Sequence, residues 1–184
     1  ASDVYKRQPE GFSVEVTGQQ KEMAESFRSL RGALILAVIL VYMVMASQFE
    51  SLRHPFVIMF SVPFALIGVI WILFLSRTTI SAVVYMGLIM LVGIVVNNGI
   101  VMISYINILR EKGMSALEAT RTGARRRLRP ILMTTFTTVF SLIPMALGWG
   151  AGAELWAPMA RTVIGGLSVS MIFTLILVPA LYTI

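Results

Sequence analysis

Two adjacent amides, Asn97 and Asn98, interrupt an otherwise apolar run, Gly93-Ile-Val-Val-Asn-Asn-Gly99. A second polar stretch lies further along, with Thr134, Thr135, Thr137, Thr138 and Ser141 among apolar neighbours. A buried amide without partners is costly, which leaves two readings. Either the amides tie helices together, at about 0.6–2 kcal/mol per contact, or they belong to a polar relay. An amide neither takes up nor releases a proton at neutral pH, and the residues by themselves favour the first reading. The hydroxyls divide in the same way. Those on an apolar helix often bond back to their own carbonyls, yet Thr134 shares a helical face with both Thr137 and Thr138. Such a face beside an amide pair could line a hydrated path.

The charged candidates are fewer. Arg127 and Arg129 stand at the edge of an apolar stretch and read first as topological anchors. Either could instead reach inward as the counter-ion of a carboxylate supplied from elsewhere. His54 sits beside Arg53 in a polar turn and reads as a solvated loop residue. Nothing points to an enzyme, a cofactor or a metal. There is no HExxH or P-loop pattern, and Gly166-Leu-Ser168 lacks the final glycine of a nucleophile elbow because Ser170 follows. The chain has no cysteine, and the methionines and aromatics fit packing and lipid-facing roles.

The elements that must position these residues follow from where charge is absent. Asp, Glu, Lys, Arg and His are missing from Gly32–Phe49, Pro55–Ser76, Thr78–Leu109, Pro130–Ala153 and Thr162–Ile184. Each window reaches the roughly 18 apolar residues that span a bilayer. Charged residues make up 13% of the 184, about half of what a soluble surface needs. The expected fold is therefore all-α and membrane-embedded, with spans at about 30–48, 55–75, 82–109, 130–148 and 158–184. Pro63 is expected to bend the second span. Pro130 and Pro158 are expected to open the fourth and fifth, as proline suits a first helical turn.

Outside the spans, Phe12–Thr17 alternates apolar and polar residues up to Gly18, the period of a short strand. Helical spacing takes over at about Gln20 and runs to Gln48, with Met23, Phe27, Leu30 and Leu34 on one face. Ser115-Ala-Leu-Glu118 is a capping box for a short amphipathic helix at about 115–127. Residues 1–8 fit nothing downstream and resemble a translated sequencing-adapter tag, so they are set apart from the fold. Residues 9–22 then form the end of an extracytoplasmic part and 23–184 the transmembrane domain.

Basic residues orient the whole. Arg110, Lys112, Arg121, Arg125, Arg126, Arg127 and Arg129 crowd the connection between spans three and four, against Glu111 and Glu118. The opposite side offers Arg77 between spans two and three, and Glu154 with Arg161 between four and five. The positive-inside rule places the arginine-rich connection in the cytoplasm. The net charge of +6 is thereby explained by topology, and no nucleic-acid partner is implied.

Four stretches carry a resemblance. VYMVMASQFESLRHPFVIMFSVPFALIGV (41–69), MGLIMLVGIVVNNGIVMISYIN (86–107), RLRPILMTTFTTVFSLIPMALGWGAGAE (127–154) and IGGLSVSMIFTLILVPALY (164–182) resemble, in order and spacing, the C-terminal membrane half of the resistance–nodulation–division efflux transporters, hydrophobe/amphiphile branch. The resemblance implies helices eight to twelve of a twelve-helix subunit, with a strand from a periplasmic domain before them. It further implies a multi-pass protein of the bacterial inner (plasma) membrane, partnered by the lipid bilayer and by the N-terminal half of the same transporter. A homotrimer follows from the same family, as do a periplasmic adaptor and an outer-membrane channel.

The implied function is proton-driven efflux of amphiphilic drugs. The family's relay pairs two aspartates of helix four with a lysine, a threonine and an arginine. The threonine matches Thr134 and the arginine matches Arg127, but the lysine position is occupied by Asn97. Loss of that counter-charge changes what would hold the aspartates ionised. Asn97 and Asn98 also occupy, by pseudo-repeat, the places of the aspartate pair in the other half. The relay-adjacent set is thus Asn97, Asn98, Thr134 and Arg127, with Thr138 and Ser141 as secondary polar positions. The alternatives are a related non-drug transporter and a coupling-deficient scaffold paralogue.

Overall fold

A computed structural model of the chain describes residues 18–182, with side chains over 22–176 other than that of residue 53. The expected strand at 12–17 and the set-apart residues 1–8 lie outside the described residues.

Among the described residues six helices form, and they supply five stretches long and apolar enough to cross a bilayer. The first, α1 (Gly18–Phe49), is one continuous helix. Glu50 then turns the chain with φ 47°. The second span is divided into α2 (Arg53–Met59) and α3 (Ser61–Leu75), separated at Phe60. The break falls three residues before Pro63, whose missing N–H cannot bond the Met59 carbonyl. Ser61 covers part of the gap, its hydroxyl donating to the Ile58 carbonyl at 2.6 Å. His54 departs from the expected solvated loop position. It lies in the first turn of α2, half-buried, with its ring edge-on to Phe49 at 5.9 Å.

The third span is α4 (Ala82–Glu111), which ends where expected, at Gly113 with φ 89°. Ser115 then caps the next helix by accepting from the Glu118 N–H at 3.3 Å. Here the structure corrects the sequence reading. In place of an amphipathic helix at 115–127 and a separate one starting at Pro130, a single helix, α5 (Ala116–Ala146), runs through both. Pro130 removes one hydrogen bond and frees the Arg126 carbonyl, but this happens beside exposed arginines rather than in hydrocarbon, so the helix need not stop. The last helix, α6 (Ala153–Tyr182), likewise starts five residues ahead of Pro158.

Arg161, counted among the charges between spans four and five, lies inside α6, three residues after Pro158. There it is half-buried, donating from Nε to the Ala146 carbonyl and from its terminal nitrogen to the Thr78 hydroxyl, both at 2.9 Å. One side chain thus joins the end of α5, the α3–α4 connection and α6.

α6 is the centre of the bundle, packing on α2, α3, α4 and α5, whereas α1 packs mainly on α4 and α2 among the described residues. Between α3 and α6 the approach is backbone to backbone. A Cβ added at Gly68 would overlap the Gly165 carbonyl oxygen, and one added at Gly165 would run into Ile72. Phe64 and Phe173 stack across the same pair of helices, 4.2 Å between ring centroids. In lipid, where apolar side chains gain little by leaving the solvent, such close contact is what holds helices together.

Gly165→Ala should therefore destabilise the bundle by about 1–3 kcal/mol, the usual range for overpacking. It would be read as a lower thermal midpoint of the detergent-solubilised protein. Gly93→Ala, which meets nothing within 4 Å, should leave the midpoint unchanged or raise it.

Candidate functional site

α4 and α5 lie side by side against α6, and an uncharged polar cleft opens between them. It is lined by Ile94, Asn97, Asn98, Thr134, Thr135, Thr138 and Leu167 and measures about 190 Å³. That is room for several water molecules. The amides stand there because the buried face of α4 is filled by Val92, Val95, Val96 and Gly99, which turns Asn97 to the exposed side and leaves Asn98 half-buried. Among the described residues no hydrogen bond reaches either amide.

The hydroxyls on α5 behave in two ways. Thr134 donates to the Ile131 carbonyl at 3.0 Å, Thr137 to Met133 at 2.8 Å, Thr138 to Thr134 at 2.9 Å and Ser141 to Thr138 at 2.9 Å. Each has committed its proton to its own helix and retains only acceptor capacity. Thr135 is different. It is buried, 4% exposed, and its hydroxyl has no partner among the described residues. It lines the same cleft. A buried hydroxyl left unpaired costs about 1–3 kcal/mol, so it is the group with most to gain from a molecule entering.

The structure thus brings Asn97, Asn98, Thr134 and Thr138 to one place and adds Thr135, which the sequence reading passed over in favour of the 134/137/138 face. The signal was present: Thr135 follows Ile131 by four residues and precedes Thr138 by three, and Ile131 and Thr135 are both buried. Arg127 and Ser141 do not line the cleft. Ser141 is exposed. Arg127 is half-buried two turns before Thr134, roughly 10 Å along the helix axis. Its guanidinium lies 4.7 Å from the centre of the Tyr105 ring, and its buried Nε has no hydrogen-bond partner among the described residues.

Chemically, the cleft can hold and orient water through neutral oxygens and amide N–H groups. No titratable side chain lines it. A proton could be passed or held there but not stored on a residue of the lining. Arg127 supplies a positive charge two turns earlier on the same helix.

Comparison with known proteins places this arrangement. The sequence profile of the AcrB/AcrD/AcrF family matches residues 1–184. The swarming motility protein SwrC of Bacillus subtilis is 40% identical over 177 residues, covering 96% of this chain and 17% of SwrC. The cobalt-zinc-cadmium resistance protein CzcA of Cupriavidus metallidurans is 36% identical over 174 residues, 95% of this chain and 16% of CzcA. A crystal structure of a heavy metal efflux pump superposes with a TM-score of 0.80 at 34% identity, covering 91% of this chain and 16% of the pump. The chain therefore spans about a sixth of the length of these relatives. Five apolar helices packed in this way, with a match along the whole chain, make it a multi-pass inner-membrane segment belonging to the AcrB/AcrD/AcrF family of resistance–nodulation–division transporters.

Proposed function

We propose that the transporter containing this segment is a secondary antiporter, taking up protons as it exports a solute, and that the α4/α5 cleft is this segment's share of the proton path. The observation carrying the proposal is the cleft itself. Five polar, uncharged side chains line one cleft between spanning helices, one of them a buried hydroxyl without a partner among the described residues. Polar groups at that depth are expensive, and among the described residues none of the five bonds to another helix, as packing amides and hydroxyls would.

The cleft lining has no acid, so the titrating carboxylates are assigned to the N-terminal half of the transporter. Asn97 stands where the family resemblance expects a lysine. Asn97 and Asn98 then serve as donors to water in the path, Thr134 and Thr138 as acceptors, and Thr135 as both. Arg127 acts at a distance as a positive charge, and Ser141 extends the polar face toward the other end of α5. Trimer formation, a periplasmic adaptor and an outer-membrane channel belong to the same proposal, as does a cytoplasmic position for the connection between α4 and α5.

The exported solute is read as an amphiphile, on the resemblance of 41–69 and 127–154 to the amphiphile branch. A heavy-metal cation is the second reading, supported by what CzcA and the superposed efflux pump are named for. Susceptibility of cells expressing the full-length transporter separates the two. Protection against dyes and detergents supports the first, and protection against cobalt, zinc or cadmium the second.

Thr134→Ala should lower that protection several-fold at unchanged expression. Full protection would instead count against a role for Thr134 in coupling. Thr135→Val should keep or raise the thermal midpoint, because it removes an unpaired buried hydroxyl of similar shape. The same variant should lose proton uptake measured in proteoliposomes, and intact uptake would remove Thr135 from the path.

A further inference from the structure

The first turns of α5 do something that the transport cycle does not explain. Arg121, Thr122, Arg125 and Arg126 line an open recess of about 570 Å³, and no acidic side chain shares it. Glu118, the nearby acid of the first turn, is engaged with the Ser115 hydroxyl at 3.2 Å. Arg126 is held in place by donating to the Tyr105 hydroxyl at 3.2 Å, and the next arginine, Arg127, lies over the ring of that same tyrosine. A guanidinium has five N–H groups, and one such bond leaves most of them for another acceptor.

The depth of the recess is set by the helix. α5 continues unbroken into the apolar stretch beginning at Ile131. At about 1.5 Å per residue, Arg125 and Arg126 stand roughly 8–9 Å before that point. This is the level of the headgroup layer that borders the hydrocarbon core. Leu117 and Leu128 are exposed on the same part of the helix, as apolar residues of an interfacial helix are.

We infer that this recess binds the phosphate headgroup of an anionic phospholipid from the adjoining leaflet. Guanidinium groups converging without a carboxylate match phosphate oxygens by paired hydrogen bonds as well as by charge. The exposed leucines and the continuation into hydrocarbon select a lipid over a soluble phosphate. The inference stands apart from the proton path and from the identity of the exported solute.

The test uses the purified full-length transporter, stripped of lipid and titrated with phosphatidylglycerol or phosphatidylcholine, with retention read by native mass spectrometry. The wild type should retain phosphatidylglycerol in clear preference. Arg121→Gln combined with Arg125→Gln should weaken that retention about 30-fold, the effect of removing two basic side chains beside an anionic headgroup. Arg110, Lys112, Arg126, Arg127 and Arg129 remain in that variant, so the charge bias that orients the protein survives. Arg121→Lys with Arg125→Lys keeps the charge and loses the paired geometry, and it should fall between the two.

Three results would overturn the inference. One is equal retention of both lipids by the wild type. Another is wild-type retention by both double variants at an unchanged thermal midpoint. The last is displacement of the lipid by millimolar inorganic phosphate, which would make the recess a site for the free anion.

Discussion

The contact between Gly68 and Gly165 governs the arrangement of the bundle. Two backbones meet there with no side chain between them, which brings α3 and α6 closer than any larger residue would permit. α6 is drawn into the middle as a result, and α4 and α5 take up positions along its other sides. Gly166, the next residue, faces Leu91 of α4, and Leu167 after it lines the polar cleft. Three successive residues of one helix therefore set the α3 crossing, the α4 contact and one wall of the candidate site.

The bilayer imposes a second constraint, on polar groups. With no water in the hydrocarbon, each hydroxyl must find an acceptor or bear the cost. Along α5 the solution is mostly local, because Thr134, Thr137, Thr138 and Ser141 return their protons to the preceding turn. That leaves a face of acceptor oxygens with no charge and little internal penalty. Thr135 departs from the pattern, and its unpaired hydroxyl marks the one place on this face where the helix does not satisfy itself. The exposed Asn97 and half-buried Asn98 across the cleft supply the donors that this face lacks.

Charge and polarity are kept apart along the same helix. The arginines gather in the first turns of α5 and the hydroxyls in its middle, with Arg127 between them on the Tyr105 ring. α5 runs through Pro130 as one helix, so both groups of side chains stand on the same element. The clasp of Arg161 on Ala146 and Thr78 joins the opposite end of α5 to α3, α4 and α6.

Much of this was readable in the order of residues. Uncharged windows of spanning length, a capping box at Ser115 and a glycine stop at Gly113 depend on composition and on neighbours within a turn, and the amide pair stands out from any apolar run. What distance in sequence concealed was decided by contact. Whether Pro130 ends a helix depends on whether water and arginines can receive the freed carbonyl, and whether Thr135 or Thr137 faces inward depends on where α6 lies. Arg161 became a clasp only because Ala146 and Thr78, 15 and 83 residues away, arrive beside it. Local propensity determines that these segments are helices. Only the close packing of one helix on another determines which of their side chains meet, since that geometry is set by volumes and backbones from distant parts of the chain.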